Sequence, residues 1–233
     1  MAFDSTEISA IAEEMAKTLG CTGEKELDII ASGLAVKRIH KNDLIYREHT
    51  RPEHIVYLVS GKVKIVKECC AGRAQIVRAI KEHTFVGYRA FFAQEEYTTS
   101  AMAFEDSTVA FLPLEDLELI SGICGNVVKY FLKELAVVLG QTDCRIVSLT
   151  QKHIRGRLAE TILALKKSYG FEPDGQTINI AMNRDDLASL SNMSTSNAIR
   201  TLSAFAQEGS VSVEGRKIKI LDETRLLKIS DMG

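Results

Sequence analysis

The sequence has no marked excess of either charge. Its 233 residues include 29 Lys+Arg and 31 Asp+Glu, a net charge of −2, so bulk electrostatics give no sign of nucleic-acid binding. From His153 onward, 11 basic residues against 10 acidic ones leave a net of only +1, and any basic surface must be local. A glycine-rich phosphate loop, an HExxH motif and a nucleophile elbow are also missing, so we expect no enzyme activity.

Cysteines are few and lack paired spacing. The number of cysteines is odd and no two of them form a CxxC pair, which argues against a secreted disulfide framework or a zinc module. We therefore expect reduced thiols and no metal site. The N-terminus has acidic residues and no long apolar run, which predicts neither a signal peptide nor a membrane anchor. We therefore expect a cytoplasmic protein with no membrane partner. The five cysteines are Cys21, Cys69, Cys70, Cys124 and Cys144.

Length and composition fit two modest domains rather than one small core, since 45% of the residues are hydrophobic and 26% charged. Residues 5–33 show helical spacing of apolar side chains. From about Leu34 to Pro113, short runs such as HIVYLVSG and KVKIVKE alternate with period two, which predicts an antiparallel barrel or roll of about eight strands. We expect an α+β fold, divided into residues 1–113, 114–152 and 153–233.

A long helical region follows from Leu114. Seven of its side chains are spaced by alternating steps of four and three residues, a heptad seam that predicts a dimerisation helix. A long core helix in a monomer is the alternative. A second apolar line, made of Phe131, Val138 and Cys144, would pack the same helix against its own barrel. The seam residues are Val128, Leu132, Leu135, Leu139, Thr142, Ile146 and Leu149.

The stretch NRDDLASLSNMSTSNAIRTL, residues 183–202, predicts two short helices joined by a tight turn. Asn183 is expected to cap the first helix, and Asn192 tolerates the left-handed backbone that a turn requires. Ser194 would cap the second helix, over residues 194–207, in which Ala198, Ile199, Leu202 and Phe205 form an apolar set. A helix with a polar N-terminal end and an arginine, Arg200, one turn further on suits the major groove of DNA. An ordinary helical hairpin with a solvated face is the alternative.

The flanking segments complete a compact C-terminal domain. GRLAETILALKKSYG predicts an amphipathic helix ending at Gly170, and PDGQTINIAM predicts a small hairpin. After Phe205, GSVSVEGRKIKIL alternates around Glu214-Gly215. We interpret it as a wing, a two-stranded hairpin that carries Arg216, Lys217 and Lys219 toward phosphates.

The combination resembles the CRP/FNR superfamily of bacterial transcription regulators. Three segments in the right order carry the resemblance: IVYLVSGKVKIV, IRGRLAETILALKKSYG and RDDLASLSNMSTSNAIRTLSAFAQEGSVSVEGRKIKILD. It implies a cyclic-nucleotide-binding-like β-roll, a long dimerisation helix and a C-terminal winged helix-turn-helix. It also implies a homodimer on a near-palindromic, double-stranded DNA operator, with RNA polymerase as a further partner.

Position by position, the resemblance assigns DNA contacts. Arg200 matches the arginine that family members commonly direct at guanine, and Ser194 the serine that opens the recognition helix. The cyclic-AMP-responsive branch has arginine and glutamate where this chain has Thr195 and Ser196, so we expect a different operator. The expected DNA-binding residues are Ser194, Thr195, Ser196, Asn197, Arg200, Arg216 and Lys217.

The effector site departs further from that branch. Where the branch holds the nucleotide with Gly-Glu-Leu and Arg-(Ser/Thr)-Ala motifs, this chain has Gly87-Tyr88-Arg89 and Thr98-Thr99-Ser100. The carboxylate and the phosphate-binding arginine are both missing, so we do not expect cyclic AMP, and the small-molecule effector is unknown. Arg89 could bind an anion by another route or be a surface arginine. The candidate pocket residues are Gly87, Tyr88, Arg89, Thr98, Thr99 and Thr142.

Other sensing chemistries have weaker support. The oxygen-sensing branch clusters N-terminal cysteines around an iron–sulfur centre, whereas this chain has only Cys21 there, so that cofactor is not expected. A thiol sensor at Cys69-Cys70 and haem ligation by His83 or His153 stay open as alternatives. So does a ligand-binding module that does not bind DNA. The cofactor is therefore unknown.

Overall fold

The computed structural model describes residues 3–68 and 74–232. Its contacts divide the chain into two compact units, the first formed by residues 1–67 and 79–140 and the second by residues 68–78 and 141–233. The predicted α+β class is confirmed.

Two helices open the first unit. Helix α1 (Ser5–Leu19) begins with a capping box, in which Asp4 accepts from the backbone N–H of Glu7 and the Glu7 side chain accepts from that of Asp4. This satisfies two N–H groups that a helix start leaves unpaired. Gly20 ends the helix with φ +71°, a left-handed conformation that glycine adopts at little cost. Helix α2 (Glu24–Gly33) follows.

Eight strands then form two four-stranded sheets, as the alternation predicted. One sheet has the order β1-β8-β3-β6 and the other β2-β7-β4-β5, and the registered pairs are antiparallel. A six-residue helix, α3 (Tyr88–Ala93), and strand β6 were not predicted. The strands are β1 (Ala35–Ile39), β2 (Leu44–Tyr46), β3 (His54–Ser60), β4 (Val63–Glu68), β5 (Ala74–Ile80), β6 (Thr84–Val86), β7 (Ser100–Ala103) and β8 (Ser107–Pro113).

The helical region from Leu114 is broken once. Helix α4 (Leu114–Ile123) ends at Cys124, and helix α5 (Gly125–Gln151) begins directly after it. The first part of α5 joins the core of the first unit through Val127 and Phe131, which are both buried. The Phe131 ring lies 5.5 Å from that of Phe85 and 5.3 Å from that of Tyr88.

The predicted seam of α5 remains largely uncovered within one chain. Val128, Leu132, Leu139 and Ile146 are 46–66% exposed. Leu135 is half-buried and packs on the core of the first unit. Leu149 is also half-buried, and Thr142 is exposed. Large aliphatic side chains at heptad spacing on a surface are typical of a face that another helix covers.

The predicted inner line of α5 is wrong at its last member. Phe131 is buried and Val138 half-buried, but Cys144 is exposed. The next residue, Arg145, occupies the inward position instead, because 145 continues the seven-residue step from 131 and 138. Its guanidinium donates to the carbonyl of Leu190 in the second unit, to which Arg145 also belongs.

The second unit contains the C-terminal helices and the wing. Helix α6 (Ile154–Tyr169) buries Leu158, Ile162 and Leu165 as predicted and ends at Gly170, whose φ is +67°. Of the small hairpin predicted for residues 173–182, the turn at Asp174-Gly175 is present, but its two sides do not form strands. The structure has only isolated bridges there, Phe171 with Ile178 and Thr177 with Lys219, because the segment pairs with the wing. The other elements are α7 (Arg184–Leu190), α8 (Thr195–Gln207), β9 (Val211–Glu214), β10 (Lys217–Ile220) and α9 (Glu223–Asp231).

The expectation of reduced thiols is wrong for two cysteines. Cys21 and Cys124 form a disulfide, although 103 residues separate them in sequence. The fold brings them together because the end of α1 packs beside the junction of α4 and α5. Cys144 is an exposed free thiol, and Cys69 and Cys70 lie outside the described residues. Across the described part of the chain, no helix is long and apolar enough to span a bilayer.

Candidate nucleic-acid interface

The two helices predicted from residues 183–202 are confirmed as α7 and α8. The Asn183 side chain accepts from the backbone N–H of Asp186 at 2.6 Å, and the Ser194 hydroxyl accepts from that of Asn197 at 3.3 Å. Asn192 has φ +50°, the left-handed turn conformation expected there. Both caps and the turn depend on neighbours within three residues, which explains why local sequence sufficed to predict them.

Two arginines hold this turn from outside it. Arg157, on α6, donates from Nε to the carbonyl of Ser191 and from Nη2 to that of Asn192, both at 3.1 Å. Arg145 donates to the carbonyl of Leu190. Burial lowers the pKa of Arg145, while Glu160 opposes that shift. Guanidinium groups therefore bind the carbonyls of three successive residues, Leu190, Ser191 and Asn192, at the C-terminal end of α7. The sequence patterns did not predict these hydrogen bonds.

Helix α8 has one buried face and one exposed face. Ala198, Leu202 and Phe205 are at most 2% exposed, so this face anchors the helix. The opposite face presents four residues at helical spacing. These are Ser196, Ile199, Arg200 and Ser203.

Ile199 lies on the exposed face, although the apolar pattern had grouped it with the residues that are buried. It is 45% exposed, because residue 199 lies one step round the helix from buried Ala198. An apolar side chain beside Ser196 and Arg200 gives this face a hydrophobic contact in addition to its hydrogen-bonding groups. Sequence reasoning missed the exposure because isoleucine is usually buried in proteins.

The remaining predicted contacts near the start of α8 already have partners. Thr195 is partly buried, and its hydroxyl donates to the Asp185 carboxylate of α7 at 2.7 Å. Arg200 donates to the side-chain oxygen of Asn197 at 2.5 Å. Ser194 is exposed and acts as the helix cap. The guanidinium is thus held on the helix surface, with its remaining donors available to a ligand.

The predicted wing is confirmed as β9 and β10, which pair antiparallel around Gly215 and Arg216. Arg216 is exposed at this turn. Lys217 is paired with Glu172 at 2.8 Å, and this hydrogen-bonded carboxylate raises the lysine pKa. Lys219 lies 3.7 Å from Asp174. Two of the three predicted wing cations are therefore paired with carboxylates of the same unit.

Asp174 organises the turn beside the wing. Its carboxylate accepts from the Thr177 hydroxyl at 2.6 Å and from the backbone N–H groups of Thr177 and Gln176 at 2.8 and 3.0 Å. Because these groups stabilise the charged form, the Asp174 pKa is held well below its usual range, and the hydroxyl of Thr177 contributes most.

The positions aligned with a cyclic-nucleotide pocket contain different chemistry. Tyr88 is buried on Phe131, and exposed Arg89 pairs with Glu95 at 3.0 Å. A Cβ on Gly87 would lie 3.1 Å from the Tyr97 ring. The space beside this backbone is therefore already filled by an aromatic side chain. These residues do not fit a cyclic nucleotide, since none supplies a carboxylate for its ribose.

The second predicted motif, Thr98-Thr99-Ser100, also lacks the groups that bind a cyclic nucleotide. Thr98 is exposed and Thr99 half-buried, while buried Ser100 accepts from the backbone N–H of Glu48 at 2.9 Å. Thr142, the last predicted pocket residue, is exposed on α5. The phosphate-binding arginine of the cyclic-nucleotide branch has no equivalent among these side chains.

The histidines considered for haem lie in unrelated settings. His83, in the left-handed turn before β6, contacts the Glu14 carboxylate of α1, which also accepts from the Tyr57 hydroxyl at 2.5 Å. His153 immediately precedes α6 in the second unit. The structure therefore places these two residues in different units.

Comparison with known proteins supports the domain order. Residues 36–120 match the family model for the cyclic nucleotide-binding domain, and residues 156–229 match that for the Crp-like helix-turn-helix domain. The first match covers the β-roll and the second covers the helix-turn-helix with its wing.

Curated relatives span most of the chain. An anaerobic regulatory protein of Bacillus subtilis is 26% identical over 189 residues, covering 80% of this chain and 79% of the relative. The fumarate and nitrate reduction regulatory protein of Escherichia coli is 24% identical over 211 residues, covering 89% and 83%. Both relatives are named as regulatory proteins.

Solved structures share the fold. FixK2 from Bradyrhizobium japonicum superposes with a TM-score of 0.76 at 21% identity, covering 84% of this chain and 96% of that one. With a β-roll, a long helix and a winged helix-turn-helix in this order, the chain belongs to the CRP/FNR superfamily of bacterial transcription regulators, with a DNA-binding helix-turn-helix domain.

Proposed function

We propose that this protein acts as a homodimer that binds a near-palindromic operator through two copies of α8. One observation carries the proposal: the exposed face of α8 presents Ser196, Ile199, Arg200 and Ser203, while its other face is anchored in the domain. A helix presented in this way can enter the major groove with its outer side chains against base edges.

Base readout centres on Arg200. Its guanidinium can donate two hydrogen bonds to O6 and N7 of one guanine, worth about 1–3 kcal/mol of discrimination. Asn197 orients it by accepting one hydrogen bond at 2.5 Å. Ile199 adds an apolar side chain that can contact the methyl group of a thymine. Ser196 replaces a glutamate of the cyclic-AMP-responsive branch, so preference for the cytosine that such a glutamate contacts is not expected.

Phosphate contacts come from fewer groups than the sequence suggested. Arg216 at the tip of the wing is exposed, and Ser194 lies at the exposed start of α8. Lys217 has Glu172 as a partner, which offsets its attraction for a phosphate. We therefore assign the main phosphate contact of the wing to Arg216.

Dimerisation is proposed along α5. The exposed fractions of Leu132 and Leu139 are 66% and 64%, which leaves considerable apolar surface in contact with water. A second copy would cover the same side chains by twofold symmetry, as isologous interfaces do. Two α8 helices in one dimer would then face half-sites about one DNA turn apart. RNA polymerase is proposed as the further partner in regulation.

The effector is proposed to be a small molecule other than cyclic AMP, because Tyr88 and Thr98 stand where that nucleotide needs charged groups. Gly87, Arg89 and Thr99 remain proposed pocket residues of the first unit, whereas Thr142 belongs to the second unit. Calorimetry that detects micromolar cyclic-AMP binding to the purified protein would contradict this assignment.

Selection of bound sequences from random duplexes tests DNA recognition directly. We expect a twofold-symmetric site, and Arg200→Ala should lose preference at one base pair of each half-site. Lys228→Ala, which removes an exposed cation from α9, serves as the matched control and should keep the preference. Affinity should also fall steeply with salt because cations on DNA are released. A ligand-binding module that contacts only protein would show no affinity for duplex DNA.

A further inference from the structure

The disulfide joins two structural elements of the first unit. Cys21 follows α1 directly after its terminal Gly20, and Cys124 is the only residue between α4 and α5. The Cys21 side chain belongs to the hydrophobic core and is 2% exposed, whereas Cys124 is half-buried at the edge of the same core. Cys124 is therefore the more exposed residue of the pair.

Other contacts hold the same two segments together. The Asn126 side chain donates to the carbonyl of Gly20 at 2.9 Å, which ties the first turn of α5 to the end of α1. The backbone N–H of Cys21 donates to Ala16, and that of Cys124 to Ile120, both at 2.8 Å. Because the Asn126–Gly20 bond does not involve sulfur, it keeps the two segments adjacent when the disulfide is reduced. The other two bonds fix each cysteine at the end of its own helix.

We propose that Cys21 and Cys124 form a reversible redox-modification site, with hydrogen peroxide as oxidant and a dithiol as reductant, whose state sets the strength of dimerisation along α5. The partly exposed Cys124 thiolate attacks the peroxide and becomes a sulfenic acid, releasing water after proton uptake. The shielded Cys21 sulfur then attacks that sulfur, forming the S–S bond and releasing a second water. Two thiols lose two electrons and two protons, and one hydrogen peroxide becomes two waters.

The link to dimerisation rests on the proposed function. Cys124 lies four residues, about one helical turn, before Val128, the first seam residue. A covalent bond at this point restricts the first turn of α5 in the monomer, so less conformational freedom is lost when a second copy packs on it. The oxidised protein should dimerise at least about fivefold more tightly, the lower range of coupling between two sites.

The test uses the full chain with Cys69, Cys70 and Cys144 replaced by serine, so that only the pair remains. Folded protein is treated with dithiothreitol or with hydrogen peroxide, freed of the reagent, then denatured, labelled with iodoacetamide and analysed by mass spectrometry. We expect two labels after reduction, none after oxidation, and a linked peptide containing both cysteines. Retention of both labels after peroxide, or a pair that dithiothreitol does not reduce in the folded protein, would overturn the proposal.

Sedimentation of the two forms then gives the dimer dissociation constant. A dimer of equal strength in both redox states overturns the inference alone, whereas a monomer in both states also contradicts the proposed dimer. Cys21→Ala combined with Cys124→Ser should abolish the response to peroxide, and Cys144→Ser in the otherwise unchanged protein should keep it. The comparison of redox states leaves the pair intact, so it does not depend on whether the double variant folds.

Discussion

Arg157 donates a hydrogen bond to the carbonyl of Asn192, the residue whose left-handed backbone turns the chain from α7 into α8. The same guanidinium also binds the carbonyls of Ser191 and Lys152. One side chain thus fixes the direction in which α8 leaves the turn.

Arg157→Ala should lower the free energy of unfolding by about 2 kcal/mol, since hydrogen bonds to charged groups contribute roughly 1.5–3 kcal/mol. Operator affinity should fall as well, because the turn loses its support. Urea denaturation and fluorescence anisotropy measure the two effects. Lys167→Ala, on an exposed position of the same helix, should change stability by less than about 0.5 kcal/mol. A stable Arg157→Ala protein with unchanged affinity would contradict this role.

Ile199→Ala should weaken operator binding by about fivefold, or about 1 kcal/mol, through loss of one apolar contact to a base. The loss should be confined to one A·T position of each half-site and should be seen in competition with duplexes changed at that position. The melting temperature should stay nearly constant because Ile199 is 45% exposed. An equal loss on every duplex would instead indicate a general effect on the helix.

Leu132→Asp should convert the protein to a monomer. It would place a carboxylate in each half of the proposed interface, where it is desolvated without a partner. Val137→Asp is the matched control, because Val137 is 45% exposed but lies off the seam. Light scattering coupled to size-exclusion chromatography distinguishes the two outcomes. If both variants or neither became monomeric, α5 would not form the interface through this seam.

Asp174→Asn should destabilise the second unit at neutral pH and have less effect in acid. The folded state lowers the Asp174 pKa, chiefly through the Thr177 hydroxyl, so the carboxylate contributes stability above its unfolded pKa, about 4. That contribution is lost as the pH falls toward the folded-state value. Urea denaturation between pH 7 and pH 3 should therefore show a narrowing difference from wild type. Asp143→Asn controls for removal of an exposed carboxylate, and a difference that stays constant would count against the assignment.

Sequence was most informative where structure depends on neighbouring residues. The caps at Asn183 and Ser194 and the turn at Asn192 follow from side-chain chemistry that acts within one helical turn. The alternating runs predicted the β-roll for a similar reason, because period-two burial repeats along each strand.

Contacts between distant residues were not predictable in the same way. Cys21 and Cys124 are 103 residues apart, and only the packing of α1 against the start of α5 brings their sulfur atoms together. Lys217 was assigned to phosphate because the sequence does not show that Glu172 lies beside it. On α5, the apolar line was assigned to Cys144, whereas the inward position is that of Arg145, whose partner Leu190 is 45 residues away in sequence.

The hydrogen bond from Arg184 to the carbonyl of Gly215, at 2.9 Å, joins the first turn of α7 to the tip of the wing. Arg157 meanwhile joins the turn between α7 and α8 to α6. Helix α8 and Arg216 are therefore parts of one hydrogen-bonded arrangement, and the distance between them is fixed in the unbound chain. If α8 binds the major groove as proposed, little backbone ordering is required on association, and operators whose phosphates do not lie at that distance from the base edges are disfavoured.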